Sequence, residues 1–239
     1  MNIAPTYHAT TYRDRYGVPH IFADTESDAL EAFGYAQAFD RLPTMLAHYL
    51  AARGAAASVL GAGSLERDIA VRAYRLPEIA MERYGDLPEI VREGVEAFAA
   101  GVNRYMSENP AECPAWAFPV VPVDVAALAL LFNLLFATDP AEKHPAKRGS
   151  NGFAVAGSRT DSGNAIVSLD PHLPLDGALR WYEGRVSGGE LDFYGVAFVG
   201  VPYMAMGTNG KIAWGNTVNA PDLSDWYEVR VSEKDGKPV

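Results

Sequence analysis

The sequence predicts an α+β fold in which helices come first and a mostly antiparallel sheet follows. Before residue 140, apolar residues recur at helical spacing in three segments. After Gly149, short runs of β-branched and aromatic residues alternate with Ser-Gly, Gly-Gly and Asn-Gly turns. With 239 residues, 49% of them hydrophobic, the chain is long enough to bury a sizeable core.

The first elements are a predicted hairpin and a long helix. Residues 11–24, TYRDRYGVPHIFAD, place a Gly-Val-Pro turn between two short runs of β-formers. A helix is expected to begin at Thr25 or Ser27, since either side chain can cap it, and to end at Gly54. The proline inside this helix lacks an N–H and clashes with the preceding turn, so it predicts a bend near Arg41.

Two more helices complete the N-terminal part. Residues 88–109 form an amphipathic pattern, and Pro88 suits the first turn of such a helix. Residues 123–139 are apolar on nearly every side, which predicts a buried helix. The most apolar stretch within it, residues 125–137, is too short to span a bilayer.

The change from predicted helices to predicted strands divides the chain into regions. We expect a helix-rich region at residues 1–140, a linking segment at 141–149 and a sheet-forming region at 150–239. The strands are predicted within residues 152–160, 164–170, 179–189, 191–200, 203–218 and 225–231. The sequence ends after a predicted strand and an Asp-Gly turn, where a further strand would be expected. We therefore expect it to be the N-terminal part of a longer protein.

Composition excludes some classes of partner. The net charge of −10 repels phosphates, so neither nucleic acid nor an anionic membrane is an expected partner. Cys113 is the single cysteine, so the chain cannot form an internal disulfide. The first residues show no signal-peptide pattern, but a mature exported protein would look the same, so the compartment stays open.

The junction between helices and strands carries a candidate nucleophile, in the segment KRGSNGF. Gly149-Ser150 has the composition of an ordinary turn, since Ser and Asn side chains bond their own backbone. The sequence has no Gly-x-Ser-x-Gly, His-Glu-x-x-His, Cys-x-x-Cys or P-loop motif. A hydrolase built on Ser150 would therefore need another base. Cutting the chain before Ser150 would supply one, because a free α-amine has a pKa of about 7.7–8.0 and would lie beside the hydroxyl.

Four segments resemble the penicillin acylase family of N-terminal-nucleophile hydrolases, which also includes acyl-homoserine-lactone and cephalosporin acylases. They are RDRYGVPHIFAD (13–24), AFGYAQAFDRL (32–42), GSNGFAVAGSRTDSGNAIVSLDPHLPL (149–175) and GVPYMAMGTNGKIAWGNTV (200–218). The resemblance implies an αββα sandwich, with the helical α-chain region and the first β-chain strands in this sequence. It also implies hydrolysis of a small-molecule linear amide by a heterodimer of two self-cleaved chains.

The resemblance implies roles for individual residues. The chain would cut itself between Gly149 and Ser150, and Ser150 would then be the nucleophile. His172 matches a position that supports the serine and its amine; the alternative is a histidine in a proline-bounded turn. The backbone N–H of Val218 would form half of the oxyanion hole. An asparagine beyond residue 239 would form the other half, so we expect the isolated chain to be inactive.

Calcium is implied as a structural ion, and no cofactor is implied for catalysis. Asp222 and Asp225 match calcium-ligand positions of the family, and Glu142 is a further candidate. Carboxylate oxygens three residues apart suit this hard cation. A solvated acidic turn is the alternative interpretation.

An apolar acyl pocket is also implied. Leu173 and Met206 match pocket-lining positions, and Phe136 or Phe132 is a candidate for another wall. Ordinary core packing is the alternative, above all for the helix residues. The acyl group itself stays open among β-lactam side chains, acyl-homoserine lactones, lipopeptides and simple amides.

Two other functions remain in view. The chain could be a truncated, non-catalytic relative that acts as a binding or assembly subunit. It could also be a β-rich carbohydrate-binding domain, with Trp181, Trp214 and Trp226 as the sugar-stacking residues. Tryptophans in strands are more often part of a core, so this interpretation ranks last.

Overall fold

A computed structural model describes residues 8–138, 149–173 and 177–217, together with residues 225, 227–228, 233–234 and 237–238. The helices are α1 (Glu26–Ala52), α2 (Ala57–Leu60), α3 (Leu65–Ala73), α4 (Leu76–Arg83), α5 (Glu89–Glu108) and α6 (Pro122–Thr138). The strands are β1 (Ala9–Arg13), β2 (Pro19–Ala23), β3 (Ser150–Val155), β4 (Ile166–Pro171), β5 (Trp181–Gly188), β6 (Leu191–Phe198), β7 (Met206–Thr208), β8 (Ala213–Trp214), β9 (Glu233–Lys234) and β10 (Lys237–Pro238). The fold is therefore mixed helix and sheet, as the sequence predicts.

A six-stranded sheet with the order β1-β2-β5-β6-β7-β8 joins both halves of the chain. Its described ladders are antiparallel except for β2 and β5, which run parallel with His20 opposite Arg185. The predicted N-terminal hairpin is present and lies within this sheet. Strands β3 and β4 form a separate antiparallel pair in which Ser150 opposes Pro171.

Helix α1 confirms the predicted cap and bend. The Thr25 hydroxyl accepts from the N–H of Asp28 at 3.1 Å, which satisfies one of the unpaired donors at the helix start. Arg41 departs from helical geometry, with φ −144° and ψ 22°, two residues before Pro43. The helix ends at Ala52, and Gly54 follows with φ 61°.

Helices α1 and α5 cross at backbone contact. A Cβ atom on Gly101 would overlap the carbonyl oxygen of Glu31, and one on Gly34 would overlap the carbonyl oxygen of Phe98. Beside the crossing, the rings of Phe33 and Phe98 meet edge to face with centroids 6.1 Å apart. Glycine is required at both crossing points because any side chain would push the helices apart.

Two ion pairs connect α1 to its neighbours. Arg53 donates from Nε and Nη2 to the two carboxylate oxygens of Asp124 at 2.6 Å each, which links α1 to the start of α6. Asp40 accepts from Arg13 at 2.9 Å and from the hydroxyl of Tyr182 at 2.6 Å, which links α1 to the central sheet. The charged hydrogen bonds thus hold the middle of α1 against the sheet and its C-terminal end against α6.

Some helix predictions need correction. Helices α2, α3 and α4 are absent from the sequence-based prediction, because their short segments carry weak periodicity. Pro88 is the N-cap of α5 rather than a residue of its first turn. Helix α6 is not buried on every side, since Asn133 is exposed. Among the described helices, none combines the length and hydropathy that a membrane crossing requires.

Candidate active site

Ser150 is the first residue of β3 and its hydroxyl contacts the peptide bond that precedes it. Oγ donates to the carbonyl oxygen of Gly149 at 2.6 Å. Because a C=O bond is about 1.23 Å long, Oγ lies at most about 3.8 Å from the carbonyl carbon. The hydroxyl is therefore within reach of the atom that it would have to attack to cleave the chain.

The same carbonyl oxygen accepts a second hydrogen bond, from the backbone N–H of His172 at 2.9 Å. His172 follows directly after β4, so the β3–β4 pairing brings its N–H opposite Gly149. A backbone donor is fixed in place before charge develops. This N–H polarises the carbonyl and would stabilise negative charge on its oxygen.

The imidazole of His172 lies on the outer side of this pair. Its Nε2 is 3.1 Å from Oδ2 of Asp170 and 3.2 Å from Nδ2 of Asn151. A protonated Nε2 donates to Asp170, whereas an unprotonated one accepts from Asn151, so the two bonds belong to different tautomers. A Cβ on Gly149 would lie 3.3 Å from Nδ1, so a larger residue there would press on the ring.

Ser150 lines a cavity of about 790 Å³ whose walls are mostly apolar. Four side chains that the sequence singled out for an acyl pocket line the same cavity: Phe132, Phe136, Leu173 and Met206. They come from α6, from the segment after β4 and from β7. The structure thus gathers residues from three distant parts of the chain around the Ser150 hydroxyl.

An aromatic stack forms part of the cavity wall. The ring of Phe198 stacks on Phe132 at 4.5 Å and on Trp181 at 4.2 Å between centroids, and Phe136 lies 6.0 Å away. All four side chains line the cavity. Offset stacks of this kind bury large apolar areas and fix ring orientation. The wall is suited to contact with an aryl group or an alkyl chain.

The model of the family described as penicillin amidase matches residues 8–239 of this sequence. The chain belongs to the penicillin amidase family. This confirms the resemblance carried by the four sequence segments.

Several proteins of known name are similar to this chain. The acyl-homoserine lactone acylase PvdQ of Pseudomonas fluorescens (strain Pf0-1) is 28% identical over 268 residues, which cover 93% of this chain and 34% of that protein. The aculeacin-A acylase of Actinoplanes utahensis is 28% identical over 285 residues, covering 98% and 36%. A solved structure of thermostable penicillin G acylase from Alcaligenes faecalis matches with 26% identity and a TM-score of 0.49, over 54% of this chain and 74% of that one. The chain spans about a third of the length of these two acylases.

Several lining residues of this family member were not predicted from the sequence. Trp181, Phe198 and Tyr203 line the cavity. Burial raises the pKa of the Tyr203 phenol to about 12, so it is neutral at physiological pH and its hydroxyl can donate. In the sequence, Trp181 belongs to a Trp-Tyr pair at the start of β5 and Tyr203 to a Gly-Val-Pro-Tyr segment after β6. Neither pattern predicts that its side chains line the cavity.

The tryptophans do not form a sugar-binding surface among the residues that the structure describes. Trp181 is half-buried in the aromatic stack. Trp214 is half-buried too, packs on Phe193 at 5.4 Å and donates from Nε1 to the carbonyl of Met204 at 3.2 Å. Trp226 lies outside the described residues.

The predicted oxyanion donor and most predicted calcium ligands lie outside the described residues. Val218, Asp222 and Glu142 belong to this group, whereas Asp225 is described and exposed. Asn216 and Thr217, just before Val218, line the cavity. Within the described part of the chain, no group of three or more acidic, histidine or cysteine side chains is placed to hold a metal ion.

Proposed function

We propose that this chain is the N-terminal part of an acylase that hydrolyses linear amides with Ser150 as its nucleophile. The observation that carries the proposal is the contact of the Ser150 hydroxyl with the Gly149 carbonyl at the wall of a large apolar cavity. Membership in the penicillin amidase family supports it, as do relatives named acyl-homoserine lactone acylase and aculeacin-A acylase.

The first reaction is self-cleavage. Oγ of Ser150 attacks the carbonyl carbon of Gly149, the C–N bond breaks, and the hydroxyl proton passes to the departing nitrogen. An ester then joins Gly149 to the Ser150 side chain, and the Ser150 α-amine is free. Water hydrolyses the ester to the Gly149 carboxylate and restores the Ser150 hydroxyl. The N–H of His172 donates to the oxygen that becomes negative in both steps.

The second reaction is acyl transfer. The Ser150 α-amine accepts the hydroxyl proton while Oγ attacks the substrate carbonyl, and the proton then goes to the leaving amine. Water hydrolyses the resulting acyl-enzyme and releases the acid. The N–H of Val218 and an asparagine from outside this sequence complete the oxyanion hole in this proposal.

The architecture proposed for the full-length protein is an αββα sandwich of two chains. The helical region before Gly149 belongs to the α-chain, and the strands from Ser150 onward begin the β-chain. The central sheet supports this proposal, because β1 and β2 precede the cut and β5 to β8 follow it. The two products would therefore remain together as a heterodimer.

The substrate class follows from the cavity. Its volume of about 790 Å³ lies in the range of pockets that hold drug-sized ligands, and its walls are mostly apolar. We propose an N-acyl amide with an alkyl chain, such as an acyl-homoserine lactone, with the acyl chain against the aromatic stack. An aryl acyl group of a β-lactam antibiotic is the alternative that the same wall accommodates.

Self-cleavage predicts a new chain end in the full-length protein. Mass analysis and N-terminal sequencing of the purified, active enzyme are expected to find a fragment that begins at Ser150. Further trimming of residues before Gly149 would not alter this terminus. An intact Gly149–Ser150 bond in active enzyme would contradict the proposal, and an intact bond in inactive protein would favour a non-catalytic binding subunit.

We also propose a structural calcium ion bound by Asp222 and Asp225. Removing a ligand that binds only the folded state lowers stability. A chelator is therefore expected to lower the Tm of the full-length protein, and Asp225→Asn is expected to remove most of that shift. Asp161→Asn, a change at an exposed aspartate in a turn elsewhere in the chain, is the matched control. An unchanged Tm with chelator would favour the solvated-turn interpretation.

A further inference from the structure

Three buried polar side chains of α1 all bond to the same short piece of backbone. Gln37 accepts from the N–H of Gly200 at 2.8 Å and donates to the carbonyl of Val201 at 3.1 Å. Tyr49 donates to the carbonyl of Gly200 at 2.8 Å. His48 donates from Nδ1 to the carbonyl of Val199 at 2.9 Å. We call Gln37, His48 and Tyr49 the α1 clamp.

These side chains are costly to bury and have a single common target. Gln37 and Tyr49 have no exposed surface and His48 is 7% exposed. A buried polar group without a partner costs about 1–3 kcal/mol, so each must be bonded in the folded state. Burial lowers the pKa of His48 and so favours the neutral ring. Its proton lies on Nδ1, because the Val199 carbonyl can only accept. The clamp therefore holds one defined arrangement of residues 199–201.

The clamped backbone leads directly into a wall of the cavity. Five residues of the segment 199–206 line it: Val201, Pro202, Tyr203, Ala205 and Met206. The far end of this segment is held from β8 and the residues after it, by Trp214 on Met204 and by Asn216 on Ala205 at 3.2 Å each. Segment 199–206 is thus fixed at both ends by side-chain bonds to its backbone.

Gly200 makes the close approach possible. Its φ of 101° is a conformation that side chains strongly disfavour, and a Cβ there would lie 2.7 Å from Leu128 of α6. The backbone at Gly200 already packs closely against Leu128, so the segment has no room to move toward α6. Its position relative to Ser150 depends on the four hydrogen bonds that the α1 clamp makes.

We propose that the α1 clamp sets the acyl selectivity of the cavity, with Gln37, His48 and Tyr49 as positioning residues for the wall formed by segment 199–206. This proposal rests on the proposed function, because it assigns the specificity of the same site. None of the three residues is among those that line the acyl cavity. They act through the segment that they hold.

The test uses Tyr49→Phe and Gln37→Leu in the full-length protein, with Tyr35→Phe as the matched control. Tyr35 is on the same helix, but its hydroxyl bonds to Glu108 of α5 at 2.9 Å. With straight-chain N-acyl amides that share one amine, each clamp variant is expected to change the ratio of kcat/KM for the longest and shortest acyl groups by about tenfold. Tyr35→Phe is expected to leave this ratio and the kcat for the shortest acyl group unchanged, since the Tyr35 hydroxyl bonds to Glu108 and not to segment 199–206.

Hydrogen exchange gives a readout that does not depend on turnover. The Gly200 amide is expected to exchange faster in both clamp variants and to be unaffected by Tyr35→Phe. Binding of butyrate and decanoate, measured by calorimetry, is expected to lose its chain-length preference in the same two variants.

The proposal is overturned if Tyr49→Phe, the milder change, leaves selectivity, exchange and carboxylate binding as they are in Tyr35→Phe. If the wild-type protein hydrolyses no amide, the proposed function fails by itself. Hydrogen exchange at Gly200 and binding of butyrate and decanoate would then still test whether the α1 clamp positions segment 199–206.

Discussion

Replacing Ser150 with alanine in the full-length protein is expected to leave the chain in one piece and to abolish amide hydrolysis. Alanine lacks the hydroxyl that contacts the Gly149 carbonyl, so the chain cannot be cut and no acyl-enzyme can form. Covalent catalysis of this kind supplies most of the rate, and loss of a nucleophile costs on the order of a millionfold in other hydrolases. Electrophoresis and an amide hydrolysis assay on the same preparation measure both effects.

Ser158→Ala is the matched control, since Ser158 is exposed in the same half of the chain. This variant is expected to be cleaved and active. Ser150→Cys keeps a nucleophile and is expected to retain cleavage with reduced turnover. Cleavage before residue 150, or amide hydrolysis at the wild-type rate, in the alanine variant would remove the basis of the proposed mechanism.

Replacing Gly101 with alanine is expected to destabilise the full-length protein by about 3 kcal/mol, through overpacking at the crossing of α1 and α5. The intrinsic helix preference for alanine over glycine is worth only about 1 kcal/mol in the opposite direction. The clash decides the sign, because the new methyl group would meet the carbonyl oxygen of Glu31, a backbone atom that cannot rotate away. Thermal or denaturant unfolding measures the change.

Gly85→Ala is the control for this prediction. A Cβ at that position meets no atom within 4 Å. We expect its stability to match that of the wild-type protein. If Gly101→Ala were as stable as Gly85→Ala, the two helices would have room to separate, and backbone contact would not define their crossing.

Local patterns in the sequence predicted the long elements well. Periodicity identified α1, α5 and α6, and the proline in α1 placed the bend at Arg41 where the structure has it. The hairpin of β1 and β2 followed from a Gly-Val-Pro turn between β-formers. These features depend on neighbours within a few residues, which a sequence displays directly.

Features that depend on distant contacts were not predictable in the same way. The parallel pairing of β2 with β5 joins residues on opposite sides of Ser150, and no local pattern encodes it. The α1 clamp was invisible too, because Gln37 and His48 look like ordinary polar residues until their backbone partners are known. The candidate site was predictable in part: the motif around Ser150 drew attention to a serine that lines the cavity, but the contribution of Phe198 to the wall required the fold.

The parallel pairing of β2 with β5 also sets an order of events during synthesis. Strand β2 cannot pair until β5 has been synthesised, and β5 follows Ser150 in the chain. While the backbone is continuous, it tethers the two strands and keeps their effective concentration high. A break at the serine before they meet would turn loop closure into a slow encounter between separate molecules. If the proposed self-cleavage occurs, it would therefore have to follow assembly, and its dependence on the assembled β3–β4 pair would provide that delay.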